Sequence, residues 1–486
     1  MHFLNPEKHT RRAFLKRSGH LAVAGTAAPF AMSLAAMSEA AAFSATDYKA
    51  LVCIFLLGGN DYANTVLAYD DVNYGKYSTI RAAGAGSAAG IVLPKASLAA
   101  TVLQPQTALA QGREYALHPS MSGLAKLFNN GAAAVMLNVG PLVVPLTKTQ
   151  YFSNNTTKYP VPPKLFSHND QQSVWQSSSA EGSTIGWGGN IGDLALSGNT
   201  NALFTCISLA GNSVYLAGDQ ALQYQCSPSG AVSVKSMKDK FFYEPAMRSA
   251  FAELIQQSSS HILENEYNRV TRRALAAEAQ VSSGIAGVTL KTAFPAGNSL
   301  AGQLRAVAQL IGARSTLGNK RQVFMVQLGG FDLHDSLASK QPALMQQVSE
   351  AMSAFYSATV ELGVASSVTS FTASDFGRTL TSNGDGSDHG WGGHHLVMGG
   401  AVNGKSFYGT PPPISIGSTS APDDQWHVGQ GRLLPTTSVD QYAATLAQWF
   451  GVAPAELGDV LPNLRNFGEA AGRPDYPANL GFLRTV

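Results

Sequence analysis

The chain is poor in charge. Only 13% of its 486 residues are Asp, Glu, Lys or Arg, about half the ~25% usual for soluble domains. The net charge is +2, and the five basic against two acidic residues before position 43 carry +3 of it, leaving −1 for the rest. That balance gives no electrostatic basis for binding nucleic acid or an anionic membrane. Cysteine is scarce too: three in all, with no CxxC pair, so zinc-ribbon and thiol–disulfide chemistry lack a framework. Cys53 lies in an apolar run and reads as a buried thiol. Cys206 and Cys226 flank two short strand-like runs and read either as a disulfide across a hairpin or as two free thiols. No GxGxxG, Walker P-loop or GxSxG elbow occurs, so nucleotide binding and serine α/β-hydrolase chemistry lack their motifs. Beyond position 43 no apolar run reaches the ~20 residues a spanning helix needs, which predicts no stable membrane span in the mature form.

What is present starts at the amino end. Thr10-Arg11-Arg12-Ala13-Phe14-Leu15-Lys16 precedes an Ala-rich stretch from Leu21 to Ala36. This is the form of a twin-arginine export signal over residues 1–42, with A-x-A-type cleavage expected near 40–43. The expected partner in transit is the Tat translocase, and the expected destination is the periplasm or the exterior. An uncleaved N-terminal anchor is the alternative.

Four apolar runs follow: Ala50–Leu57, Ala132–Val139, Arg321–Leu328 and Val368–Ala373. Each reads as a fully buried strand. Three of them end in loops that carry a carboxylate: Gly58-Gly59-Asn60-Asp61, Gly329-Gly330-Phe331-Asp332 and Ser374-Asp375. Helical patterns alternate with them, over Pro119–Phe128, Phe242 to about Ser283, Leu300–Ala313, Gln341–Leu362 and Asp440–Phe450. The expected fold is an α/β sandwich of three layers around a mostly parallel sheet, spanning 43–486. Residues 183–298 read as an inserted strand/helix region or cap. Open sheets of this kind build sites at the carboxyl ends of their strands.

His and Asp cluster at those ends. Asp61, Asp332, His334, Asp375, Asp388 and His389 supply imidazole and carboxylate groups for one or two divalent ions, with Zn or Mn favoured over Mg or Ca by the nitrogen donors. Two such ions ~4 Å apart would clamp a phosphate- or sulfate-like group. Paired glycines at 58–59 and 329–330 permit positive φ and close backbone approach.

Leu56-Leu-Gly-Gly-Asn-Asp61, Leu117-His-Pro-Ser120, Ser167-His168, Gly329-Gly-Phe-Asp-Leu-His334, Ser374-Asp-Phe-Gly-Arg378, Ser387-Asp-His-Gly390 and Leu434-Pro-Thr-Thr-Ser-Val-Asp-Gln-Tyr442 occur in this order. Together they resemble the Tat-exported bacterial family labelled domain of unknown function 1501, across nearly all of the mature chain. That family in turn resembles the alkaline phosphatase and sulfatase superfamily. The resemblance implies an alkaline-phosphatase-like fold. It implies Asp61 as the first metal-binding Asp, Asp332 and His334 as a later pair, Asp375 as a further ligand, and His389 with Asp388 as the remaining group. Ser120 at a helix start is the nucleophile it suggests, with Ser122 and Thr65 as other candidates. His168 and Arg378 are expected to meet the substrate anion. The departures are Phe376 where the superfamily has His, and the two-residue spacing of Asp332 and His334. The implied function is a metal-dependent hydrolase of phosphate or sulfate esters, small or polymeric. The alternatives are a non-catalytic exported binding or assembly protein, and a cell-surface polymer-processing enzyme.

Overall fold

Ala50 to Leu56 are buried without exception. Such a run arises when alternate side chains of one strand meet helices on both faces of a sheet. The computed structural model describes residues 46–82, 90–232 and 245–484. The export signal expected at 1–42 lies outside the described residues.

The strands are β1 (Lys49–Leu56), β2 (Val66–Ala68), β3 (Tyr115–Leu117), β4 (Ala133–Gly140), β5 (Cys206–Ser208), β6 (Gln223–Ser227), β7 (Gly230–Ala231), β8 (Arg321–Leu328), β9 (Val368–Ser374), β10 (Gly393–Gly399), β11 (Phe407–Tyr408) and β12 (Thr437–Ser438). All but β2 and β3 form one sheet in the order β11-β4-β10-β9-β1-β8-β5-β6-β7, with β12 also pairing β4. Strands β9, β1, β8, β5 and β6 run parallel. Strand β10 runs against both of its neighbours.

The helices of eight or more residues are α1 (Asp71–Arg81), α2 (Ser122–Asn129), α3 (His168–Ser177), α4 (Trp187–Ala195), α5 (Pro245–Leu254), α6 (Ile262–Ala286), α7 (Ser299–Gly312), α8 (Leu337–Glu361) and α9 (Val439–Phe450). Val52 and Ile54 face Leu124 of α2, Leu304 and Val307 of α7, and Met352 and Phe355 of α8. Leu51, Cys53 and Phe55 face the opposite layer, built from Trp175 of α3, Ile191 of α4 and Leu446 of α9. Three layers result, as the alternation requires.

Two expectations change. Residues 183–298 were expected to interrupt or cap the sheet, yet β5 pairs with β8 in parallel and carries the central sheet outward, and α4 packs on its face. The second change concerns the cysteines. Strands β5 and β6 are parallel neighbours, with Cys206 opposite Gln223, so the hairpin that would bring Cys206 to Cys226 does not form. Both are free buried thiols, and burial pushes each above its ordinary pKa.

Helix α9 starts with a reciprocal Ser438/Gln441 capping box, which satisfies two orphan N–H groups. Asp440, in its first turn, is 2% exposed. Its Oδ1 accepts from Ser178 Oγ and the Asn463 N–H, each at 3.2 Å. Burial nonetheless pushes its carboxyl from 3.8 up to about 6. A folded-state pKa raised in this way favours the protonated form. Its contribution to stability is therefore full below about pH 4 and is lost as pH rises through about 6. Asp440→Asn keeps the acceptor and removes the charge. It is expected to raise the unfolding free energy at pH 7 by about 1–3 kcal/mol, with the gain vanishing below about pH 4. Urea titrations of both proteins at several pH values check this, and a gain independent of pH would refute it.

Candidate metal centre

Strands β9, β1 and β8 are adjacent and parallel, so the loops after Leu56, Leu328 and Ser374 emerge at one end of the sheet. Antiparallel β10 starts there as well, which delivers the 387–392 loop to the same place. The loops crowd: a Cβ on Gly58, at φ +117°, would stand 2.3 Å from the Asp332 nitrogen. One on Gly59, at φ +83°, would strike the Phe376 ring. Both positions therefore demand glycine, through backbone approach and positive φ.

Asp332 is the focus. Its Oδ1 lies 3.1 Å from His334 Nε2 and 3.2 Å from His389 Nε2, and its Oδ2 lies 3.4 Å from His168 Nε2. The Nε2 atoms of His334 and His389 are 2.9 Å apart. Each imidazole is held from behind through Nδ1. His168 binds Asp375 Oδ2 at 2.6 Å, His334 binds Asp388 Oδ1 at 3.2 Å, and His389 donates to the Phe166 carbonyl at 2.8 Å. With the proton on Nδ1, each Nε2 points a lone pair inward. Nε2 of His168 is buried and has no hydrogen-bond partner. At such distances the inward nitrogens and the carboxylate are held together by a shared proton or by a cation between them. One ligand atom each from His168, Asp332 and His389 lies within 4.8 Å of the others, so the donor set fits a divalent transition ion.

The supporting groups are equally defined. Asp375 is fully buried and accepts from the Gly58 N–H at 3.1 Å and from Gln172 Nε2 at 2.8 Å as well as from His168. The Asp375 hydrogen bond raises the His168 pKa against the opposing effect of burial. Burial lowers that of His389. Burial pushes Asp332 upward, but the hydrogen bond and charge of Arg378 outweigh it and leave its carboxyl below the ordinary value. Asp388 is likewise held low, against desolvation, by Asn383 and His334. Phe376, the departure from the superfamily motif, packs its ring 4.8 Å from that of His168 and 4.6 Å from that of His389.

The sequence-level roles are redistributed. Asp332, His334 and His389 converge as donors. Asp375, expected as a ligand, and Asp388, expected as a ligand or as the partner behind one, face the outer nitrogens of His168 and His334. His168, expected on the substrate, is the third inward imidazole. Arg378 is fully buried and wholly engaged: it donates to the Gly58 carbonyl and Asp332 Oδ1, each at 2.9 Å, and to Ser387. It pins Asp332 and has no face left for an anion. Asp61 stands apart. Its carboxylate accepts from the Asn64 N–H, from Ser387 Oγ and from the buried guanidinium of Arg81.

Ser120 gives its N–H to His118 Nδ1 at 3.1 Å. Among the described residues no hydrogen bond ties it to His168, His334 or His389. The start of α2 is closed by Ser349, whose Oγ accepts from the Leu124 N–H. Thr65 is buried, with its hydroxyl on the Asp61 carbonyl. Among the described residues none of Ser120, Ser122 and Thr65 is hydrogen-bonded to His168, Asp332, His334 or His389.

Sequence reasoning missed Phe166, Gln172 and Asn383. Gln172 was legible in principle, because four residues from His168 it shares that helix face. Phe166 was not: it holds φ +73°, a genuine outlier for a bulky residue, and its main chain rather than its side chain serves His389.

Fold and site together define a three-layer, mostly parallel α/β protein with a His/Asp constellation at its strand ends. The chain belongs to the family described as "Protein of unknown function (DUF1501)", which matches residues 48–452. No curated protein matches it by sequence. Among solved structures it is similar to Ps i-CgsB in complex with k-i-k-neocarrahexaose, at 8% identity and a TM-score of 0.35, covering 89% of this chain and 78% of that one. It is also similar to the PsFucS1 sulfatase from Pseudoalteromonas sp., at 9% identity and a TM-score of 0.34, covering 85% and 72%. At these scores the likeness bears no weight on the site.

Removing one partner of a buried ion pair strands the other charge. Asp61→Ala is therefore expected to destabilise the protein by about 3–5 kcal/mol through the orphaned Arg81, as read by urea unfolding. Asp61→Ala with Arg81→Met should recover part of that loss. A double variant no more stable than the single one would refute the pairing account.

Proposed function

We propose that this protein is a metal-dependent hydrolase of phosphate or sulfate esters with a one-ion centre of His168, Asp332 and His389 and His334 beside it, acting outside the cytoplasm as the twin-arginine motif implies. The observation that carries it is the convergence of three outward-braced imidazoles on one carboxylate. Nitrogen donors favour an ion of the zinc or manganese class over magnesium or calcium. Such an ion, when bound, polarises an ester oxygen and acidifies water. The chain supplies the rest. Asp375, Asp388 and the Phe166 carbonyl fix the orientation of the imidazoles. Arg378 fixes the rotamer of Asp332. The half-exposed side chains of Asp332 and His334 leave one side of the cage open to substrate.

Among the described residues no Ser, Thr or Cys hydroxyl or thiol is hydrogen-bonded to the cage. That observation favours attack by water over a covalent intermediate on the protein. It also sustains a second reading, in which the cage binds an oxyanion without turning it over.

The folded protein purified from periplasm is expected to carry about one equivalent of transition metal. His168→Ala and Asp332→Ala should each lower metal affinity at least ~10-fold and abolish release of p-nitrophenol from its phosphate or sulfate ester. Metal-loaded protein that turns over neither ester would leave only the binding reading. Less than a tenth of an equivalent, without recovery on adding Zn²⁺ or Mn²⁺, would remove both.

A further inference from the structure

A cleft of about 360 Å³ lies between the helical turn Lys148–Phe152 and the segment that leads to Phe166. Its size falls within the ~300–1,000 Å³ range of small-molecule sites. Its lining has an unusual composition. Tyr151, Phe152 and Tyr159 supply aromatic rings, Asn154 and Asn155 supply amides, and Lys164 is the one charged side chain. No carboxylate lines it. Phe152 is 54% exposed although its ring packs edge-on against Tyr151 at 5.0 Å. At the end of the helical turn the Phe152 and Tyr151 rings together form an aromatic wall of the cleft.

The cleft is joined to the cage on two sides. Tyr151 packs against Trp391, with ring centroids 5.6 Å apart, and Trp391 follows His389 by two residues. Lys164 precedes Phe166 by two residues, at φ +42°, and the Phe166 carbonyl is the His389 brace. Arg432 closes the corner. Its guanidinium lies 5.4 Å from the Phe166 ring centre, and its Nε donates to the His389 carbonyl at 2.8 Å.

We propose that this cleft binds a pyranose residue of a glycan chain and so presents a neighbouring ester group to the cage; the second half of that statement rests on the hydrolase reading above. A pyranose has two kinds of surface. Its ring C–H patches carry partial positive charge and meet the negative faces of aromatic rings. Its rim of hydroxyls both donates and accepts, as amide side chains do. The lining offers both kinds. A nucleotide or free phosphate would call for more than one cation, and an extended peptide for a free strand edge, which the cleft does not border. Lys164, with its side chain largely exposed and 3.6 Å from Asp170, is placed at the rim for an acidic substituent on the sugar.

The test is affinity electrophoresis of the full-length mature protein in native gels cast with chondroitin sulfate, alginate or dextran. At least one polymer is expected to retard the protein. Phe152→Ala should weaken that retardation about tenfold without changing metal content or melting temperature, and Tyr159→Ala should weaken it about tenfold without changing metal content. Lys164→Gln should weaken it only in the two anionic gels. His334→Ala, which opens the cage, should keep most of the retardation, so that a failed hydrolase reading leaves this result standing. Protein that migrates freely in all three gels, or retardation unchanged in both aromatic variants, overturns the proposal. So does selection of peptides from a random library on Tyr151 and Phe152 with no glycan retarded.

Discussion

One buried guanidinium holds this end of the sheet together. Arg378 leaves β9 and reaches the carbonyl after β1, the carboxylate after β8 and the loop before β10. A charge so fully removed from water costs several kcal/mol unless its donors are met. Here the planar fork of arginine meets them across three loops at once. A partly assembled arrangement would leave that charge uncompensated, so the loops close together or not at all. The Asp332 carboxylate is the part of this lock that faces outward.

The second buried pair belongs to the same network. Asp61 holds Arg81, while Ser387 donates its hydroxyl to Asp61 and receives the Nε of Arg378. A chain of contacts thus runs Arg81, Asp61, Ser387, Arg378, Asp332. Asp61 serves the site at a distance, as a positioning residue. A carboxylate at a strand end has two uses, and its partner decides between them: a buried cation makes it structural, and facing imidazoles make it a donor.

Main-chain strain and aromatic packing complete the cage. Phe166 is held at positive φ between the Arg432 guanidinium and the turn closed by the Ser167 N–H on the Lys164 carbonyl. The surroundings must over-determine such a conformation for it to persist. The result aims one carbonyl at His389. Phe376 fills the floor beneath two imidazoles with a ring that adds no charge and no competing ligand.

Much of the fold was legible in the chain. Arg321–Leu328 has the same bounds as strand and as apolar run, and Ala50–Leu57 shifts by one residue, because a strand covered on both faces must be apolar throughout. The long helical pattern from Phe242 was legible only as a type: among the described residues it divides into α5 and α6. The set of acidic and imidazole residues near the site was also readable, since strand-end loops are where such sheets gather chemistry. Their roles were not. Asp61, Asp332 and Asp375 look alike in sequence, each a carboxylate shortly after a buried strand. Their partners separate them: Arg81 from α1, three imidazoles from three different segments, and His168 with Gln172 from α3. The order of residues determined the strands, their ends and the stock of charged groups, because those follow from local hydrophobicity and spacing. Tertiary structure alone decided which groups face one another, because hydrogen-bond geometry and desolvation act across space, between residues that the chain holds tens to hundreds of positions apart.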